Sequence, residues 1–412
     1  MTYSVLVVDD SNFFQQRLKE IINEHPELNV VGVATNGQEA IDLADELQPD
    51  VISMDYEMPM LDGVSAVKAI LAKRKVPIIM FSSLTYEGAR ITLDALEAGA
   101  VDFISKNFSE ISQNSSRLKR QLHSTLLTFA KQYKHHAVGQ GASTTACSTI
   151  TPDASQALSA PARESNRANA KPATKASPQQ QRRLQPRTNV AFSAQQAGIA
   201  NKALAQNSSA ARPLPKRESP VGRPSAAKLL VIGASTGGPV AVHQVLDALP
   251  SNFPLPIVVV QHMPPNFTRA LAERLNRVCA LSVREAQSGD RLVPGEVLVA
   301  PGGQQLIFDP KDKGRIKLMD GDERMSYKPS VDIAFVSAAN VFERSVLGIV
   351  LTGMGADGCE GAKILKQKGG ALWSQDQASC VVYGMPKAVF DAGLSDYVMA
   401  PNEMGAALTR GN

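Results

Sequence analysis

Residues 231 to 238 read VIGASTGG. The apolar run LLVI ahead of the first glycine has strand character, and PVAVHQVLDAL behind the last one carries apolar residues at helical spacing. Strand, tight turn and helix in that order is the repeating unit of a parallel sheet. The stretch also poses a chemical question, since its serine suits either a nucleophile or a glycine-rich phosphate cradle. GAST recurs at 141 to 144, inside GQGASTTACST, with no strand ahead of it, so the letters carry meaning only in context.

The same alternation extends in both directions. Between 4 and 131, SVLVV, NVVGVA, DVISM, PIIMF and VDFIS are apolar, β-branched runs separated by amphipathic segments such as GQEAIDLADELQ. They predict a five-stranded parallel sheet with helices on both faces. From Lys228 onward KLLVIGAS, LPIVVVQH, EVLVAP, SVLGIVLTG and GALWSQ repeat the theme as a second α/β domain. Between them, TKASPQQQRRLQPRTN and SSAARPLPKRESP are too poor in apolar residues to bury a core. The expected organisation is a doubly wound domain over 1–131, a flexible basic linker over 132–226, and a second α/β doubly wound domain over 227–412.

Composition fits this division. The chain has 412 residues, 43% of them hydrophobic, which is too long for one ordinary domain. No run approaches the roughly 18 apolar residues of a membrane span, and MTYSVLVVDD leads into acids rather than a cleavage site. The expectation is a soluble, cytoplasmic protein, not embedded in a membrane. Its four cysteines have neither zinc-ligand spacing nor a disulfide framework. The formal charge of +4 conceals an uneven distribution: residues 137 to 227 hold twelve Lys and Arg against three acids. Without interleaved aromatics or a base-reading helix, that basicity does not predict a nucleic-acid partner.

In the first domain Asp9 and Asp10 follow the first strand and Asp55 follows the third. Parallel strands end at one edge, where ligands bind. Three carboxylates gathered there repel unless a cation compensates, and hard oxygen ligands favour Mg²⁺. Ser82 ends the fourth strand and Lys106 the fifth, a hydroxyl and an ammonium able to hold phosphoryl oxygens. The set resembles the receiver domain of two-component response regulators, through VVDDS, DYEMPMLDG and GAVDFISK. The resemblance implies strand order 2-1-3-4-5, phosphorylation of Asp55 by a histidine kinase, Asp9 and Asp10 as metal ligands, and the backbone carbonyl of Glu57 completing the metal site. Asn107 stands where receivers carry proline.

In the second domain Gly233-Ala234-Ser235-Thr236-Gly237 fits Gly-x-Ser-x-Gly in the strand-turn-helix setting of a nucleophile elbow. No Gly-Lys-Ser/Thr follows, and the turn at 233–238 does not read Gly-x-Gly-x-x-Gly, which disfavours nucleotide binding there. Of six histidines only His243 and His262 lie here. His243 falls within a helix, whereas His262 ends a strand, so His262 is the candidate base. Asp357, in VLTGMGADG after another strand, is the candidate orienting carboxylate. The chain order Ser, His, Asp excludes the α/β-hydrolase family. A non-catalytic effector-binding module, with Ser235 only capping a helix, is the alternative.

With IGASTGGP, VVVQHMPPNFT, APGG, KPSVDIAF, LTGMGADG and VYGMP, the second domain resembles the catalytic domain of CheB-type chemotaxis protein-glutamate methylesterases. The resemblance implies a triad of Ser235, His262 and Asp357, an oxyanion donor in the Met354 amide, support from Thr236, and no cofactor for ester hydrolysis. It further implies methyl-accepting chemoreceptors as substrates, methanol as product, deamidation of glutamines as a second activity, and control by a receiver that closes over the triad and repacks around Tyr86 and Phe103. Gln305, Tyr327 and Lys328 depart from the family pattern, at positions the resemblance sets along the substrate groove.

Overall fold

Strands covered by helices on both faces must be apolar on both faces, and the five N-terminal runs meet that condition. They form β1 (Tyr3–Val8), β2 (Leu28–Ala34), β3 (Val51–Asp55), β4 (Ile78–Ser82) and β5 (Asp102–Ser105). In this computed structural model, which describes residues 2–106, 115–139, 222, 224–321 and 326–410, they pair in parallel in the order β2-β1-β3-β4-β5. The expected order is therefore the observed one. Around the sheet lie α1 (Asn12–Asn23), α2 (Gly37–Leu47), α3 (Gly63–Lys73), α4 (Tyr86–Glu97) and α5 (Ser116–Gly139). Side-chain caps start three of them: Asn36 accepts from the Glu39 amide, Asp62 from Ser65, and Thr85 from Gly88. Asn107 and most of the basic linker lie outside the described residues.

The second sheet is larger than five runs foretell. It contains β6 (Leu229–Ala234), β7 (Ile257–Gln261), β8 (Ser282–Glu285), β9 (Glu296–Val299), β12 (Val346–Val350), β13 (Ala371–Gln375) and β14 (Tyr397–Met399), in the parallel order β14-β13-β12-β6-β7-β9-β8. An antiparallel hairpin, β10 (Gln304–Phe308) and β11 (Ile316–Asp320), stands apart from it. The helices are α6 (Gly238–Asp247), α7 (Phe267–Val278), α8 (Val331–Phe342), α9 (Cys359–Gln367), α10 (Met385–Asp391) and α11 (Pro401–Thr409). Central strands β6, β7 and β12 are buried along their whole length. Each fully buried Val, Leu or Ile contributes about 1.5–3 kcal/mol relative to exposure, so the middle of this sheet is its rigid part. Strand order reverses direction at β6, whose neighbours are β7 on one side and β12 on the other. That crevice is where open α/β sheets bind ligands.

Candidate active site

Register places the catalytic candidates before any side chain is considered. Ala234 pairs with Gln261 across β6 and β7, so Ser235 and His262 leave neighbouring strand ends side by side. Gly233 pairs with Val350 on the other flank, and the loop after β12 carries Asp357 back to the same edge. The turn at Ser235 is tied on every side. Its amide donates to the Thr352 carbonyl at 3.0 Å, and its carbonyl accepts from the Gly238 amide at 2.8 Å and from Gln261 Nε2 at 2.8 Å. Thr352 Oγ1 donates to the Thr236 carbonyl at 2.9 Å, and the Thr352 amide donates to Gln375 Oε1 at 2.7 Å. Gly237 sits at φ 75°, a left-handed conformation that suits glycine.

His262 and Asp357 meet directly, with Nε2 2.7 Å from Oδ2. The carboxylate also receives the α8 N-terminus: the Val331 amide donates at 2.7 Å, Asp332 at 3.1 Å, and Ser330 Oγ at 2.9 Å. Burial by itself pushes the Asp357 carboxyl up, but the His262 ring and these amides overcome it and hold the group at about 2. Nearby Asp332 is pushed by burial up to about 6, so of the two carboxyls Asp357 is the one that gives up its proton first. An ionised carboxylate only accepts, so Nε2 carries the proton and Nδ1 keeps its lone pair. Nδ1 is buried and has no hydrogen-bond partner. An unpaired acceptor on the strand end next to that of Ser235 is what a general base requires.

The amide of Met354 makes no backbone hydrogen bond among the described residues. Gly353 brings that loop onto the serine: a Cβ there would lie 2.7 Å from Ser235 Cβ. The Thr236 hydroxyl donates to Asp102 Oδ2 of β5 at 2.8 Å. Gln305 and Tyr327 border the base, with the Tyr327 ring stacked on His262. His243 lies in α6, within the seam toward Leu93 and Arg274. Gln261, Thr352, Gln375 and Ser330 were missed in the sequence; their partners are 23 to 116 residues away.

The acidic cluster forms as well. Carboxylate oxygens of Asp9, Asp10 and Asp55 lie within 4.8 Å of one another. Lys106 Nζ is 2.8 Å from Asp9 Oδ2 and 2.7 Å from Asp55 Oδ2. Burial raises the Asp55 carboxyl to about 6 against the pull of Lys106, and raises Asp9 likewise. The Glu57 amide lies 3.4 Å from Asp55 Oδ1. Gly63 permits a close approach here, since a Cβ would meet the Asp55 carbonyl at 2.2 Å. Ser82 Oγ is occupied by Thr92 Oγ1 at 2.6 Å and the Gly88 carbonyl at 3.3 Å, rather than by Asp55. Three hard oxygen donors with one exposed member suit a divalent cation.

The two sheets meet at the Ser235 edge. Besides the Thr236 bond, Phe103 of β5 stacks on Phe267 of α7 with centroids 4.5 Å apart. Tyr86 donates to Glu273, Arg274 pairs with Asp94 and Glu97, and Asn266 Nδ2 donates to the Leu84 carbonyl at 3.0 Å. Ser124 of α5 lies 3.6 Å from Met354 Sδ.

Residues 230–408 match the CheB methylesterase family, and residues 5–114 match the response regulator receiver domain. Protein-glutamate methylesterase/protein-glutamine glutaminase 1 of Saccharophagus degradans is 53% identical over 399 residues, covering 97% of this chain and 96% of that protein. Protein-glutamate methylesterase/protein-glutamine glutaminase 2 of Pseudomonas savastanoi pv. phaseolicola is 46% identical over 408 residues, 99% of each chain. The crystal structure of the Thermotoga maritima CheB methylesterase catalytic domain is 41% identical, covers 44% of this chain and 96% of its own, and superposes with a TM-score of 0.42.

Proposed function

Since the chain belongs to the family of protein-glutamate methylesterase/protein-glutamine glutaminases, with a receiver domain in front of the esterase domain, we propose that it is a phosphorylation-regulated serine hydrolase acting on chemoreceptors. Its substrates are glutamate methyl esters, and receptor glutamines by the same route. Ser235 attacks the side-chain carbonyl while His262 Nδ1 takes the hydroxyl proton. The bond from carbonyl carbon to methoxy oxygen then breaks, His262 returns the proton to that oxygen, and methanol leaves. Water repeats the sequence on the acyl-serine, giving glutamate and free Ser235; for glutamine the leaving group is ammonia. Asp357 holds the imidazole and offsets the charge it gains, and the Met354 amide faces the oxyanion, a donor worth about 2.7–4 kcal/mol in related chemistry. The observation that carries this reading is the His262–Asp357 bond of 2.7 Å, with Nδ1 left bare at the strand end beside Ser235.

The receiver takes its phosphoryl group on Asp55 from a histidine kinase. Asp9, Asp10 and Asp55, with the Glu57 carbonyl, would hold Mg²⁺, which when bound would supply compensation for negative charge at the Asp55 carboxylate. Lys106 holds the carboxylate edge, and Ser82 must exchange its bond to Gly88 to reach a phosphoryl oxygen. The domains extend over 1–131 and 227–412, joined by the basic linker 132–226. Contacts of Asp102 with Thr236 and of Ser124 with Met354 support control by closure over the triad. Among the described residues no helix is long and apolar enough to cross a membrane, in keeping with action at the cytoplasmic face of receptors. The test is methanol release from methylated receptor membranes, with and without a small phosphodonor and Mg²⁺. Release should vanish in Ser235→Ala, and its stimulation should vanish in Asp55→Asn; release that survives Ser235→Ala would overturn the assignment.

A further inference from the structure

The His262 imidazole makes one hydrogen bond, to Asp357, and a single bond leaves a ring free to tilt about it. Its face is covered by Tyr327, with ring centroids 4.2 Å apart and planes within 10°. The backbone under Tyr327 is anchored. Gln305 Nε2 donates to the Tyr327 carbonyl at 2.7 Å, the Ser330 amide donates to Gln305 Oε1 at 2.8 Å, and the Gly303 amide donates to the Lys328 carbonyl at 3.0 Å. Gln305 is 3% exposed, so this clamp is shielded from water. The far end of the ring reaches the Met354 loop: a Cβ on Gly355 would lie 3.0 Å from the Tyr327 hydroxyl.

A phenol ring presents its electron-rich face to whatever stacks on it, and its attraction for that partner grows when the partner becomes a cation. In the proposed reaction His262 becomes a cation as it takes the proton of Ser235. A stack present in the ground state therefore tightens along the reaction, the condition under which an interaction raises kcat rather than merely lowering KM. We propose that Tyr327 is a positioning residue of the ester hydrolysis: its ring holds His262 coplanar and stabilises the imidazolium that forms as Ser235 attacks. This rests on the reading of Ser235 and His262 as nucleophile and base. A side chain that only walled the substrate groove would act on KM.

The test compares Tyr327→Phe and Tyr327→Leu in the full chain, with phosphodonor and Mg²⁺, as kcat and KM for methanol release from methylated receptor membranes. Phe keeps the ring and should stay near wild type; Leu keeps much of the bulk without the π face and should lose roughly 3- to 30-fold in kcat with KM little changed. Wild-type kcat in Tyr327→Leu, a change in KM alone, or equal loss in both variants would overturn the proposal. The NMR shifts of the His262 ring protons, assigned with His262→Gln, give a readout independent of turnover. They should be displaced by the stacked ring in wild type and Tyr327→Phe, and their absence of displacement in wild type would overturn the geometry. Methanol release that persists in Ser235→Ala would sink the underlying hydrolase reading instead, while leaving the ring-proton result to stand or fall separately.

Discussion

Asp357 does three things with two oxygens: it receives a helix N-terminus, fixes the tautomer of His262, and remains ionised while buried. Asparagine in its place keeps the shape, but its amide group can donate, so the imidazole loses its reason to hold the proton on Nε2. Asp357→Asn should lower kcat by roughly 10³- to 10⁴-fold, by analogy with the same change in serine protease triads, with KM less affected. Its stability should also depend on pH in a defined direction. The folded carboxyl, at about 2, lies below the ordinary value of 3.8, so the ionised form stabilises the fold above about pH 4 and that contribution disappears as pH falls toward 2. Thermal melts of wild type and Asp357→Asn should accordingly differ most near neutrality and converge below pH 3. At this scale Ser235 and His262 were legible because each directly follows a strand in a short motif, and Asp357 because it lies in the glycine-rich loop VLTGMGADG after β12. Gln261, Thr352 and Gln375 were not, because an amide or hydroxyl at the end of an apolar run looks the same whether or not a distant backbone needs it.

The element that makes the serine useful is the β6–α6 junction, and its precision depends on small residues meeting larger ones. A Cβ on Gly238 would meet Gln261 Oε1 at 2.0 Å and Ala234 Cβ at 2.9 Å. Gly238→Ala should therefore push Gln261 off the Ser235 carbonyl, and kcat should fall by about tenfold or more while the circular dichroism spectrum stays native, since a misplacement of about 1 Å can cost 10²-fold. Thr352→Val probes the other tie. It strips the hydroxyl that bonds the Thr236 carbonyl at 2.9 Å and accepts from the Val382 amide at 3.0 Å, so urea denaturation should show a loss of about 1–3 kcal/mol. The strong elements were legible and the weak ones were not. Central strands announce themselves as unbroken apolar runs. By contrast β8 is SVRE at a sheet edge, β14 spans only Tyr397–Met399, β10 opens on two glutamines and β11 is interrupted by Lys317 and Asp320, so none carries that signal.

At the scale of the whole molecule, the two sheets touch where the chemistry is, and nothing in either half announces the contact. Asp102 and Thr236 are 134 residues apart, and each reads on its own as an ordinary strand-end polar residue. Removing the stacked ring in Phe103→Ala should loosen closure, raising methanol release without phosphodonor and shrinking the stimulation that phosphodonor gives. Asp102 adds a dependence on pH. Burial in the closed arrangement pushes its carboxyl up to about 6, against the pull of Thr236 and of its neighbour's amide, whereas a solvated carboxyl would sit near 3.8. The closed form thus holds a proton more tightly than the open form, so closure is favoured as pH falls from about 6 toward 4 and weakened above it. Activity alone cannot separate closure from the chemical step, but domain separation can. A fluorophore pair, one on the surface of α4 and one on the surface of α7, should report greater separation at pH 7.5 than at pH 5.5. Asp102→Asn, which keeps an acceptor for Thr236 without a titrating group, should flatten that difference; an unchanged pH dependence in the variant would move the switch to another group at the same seam.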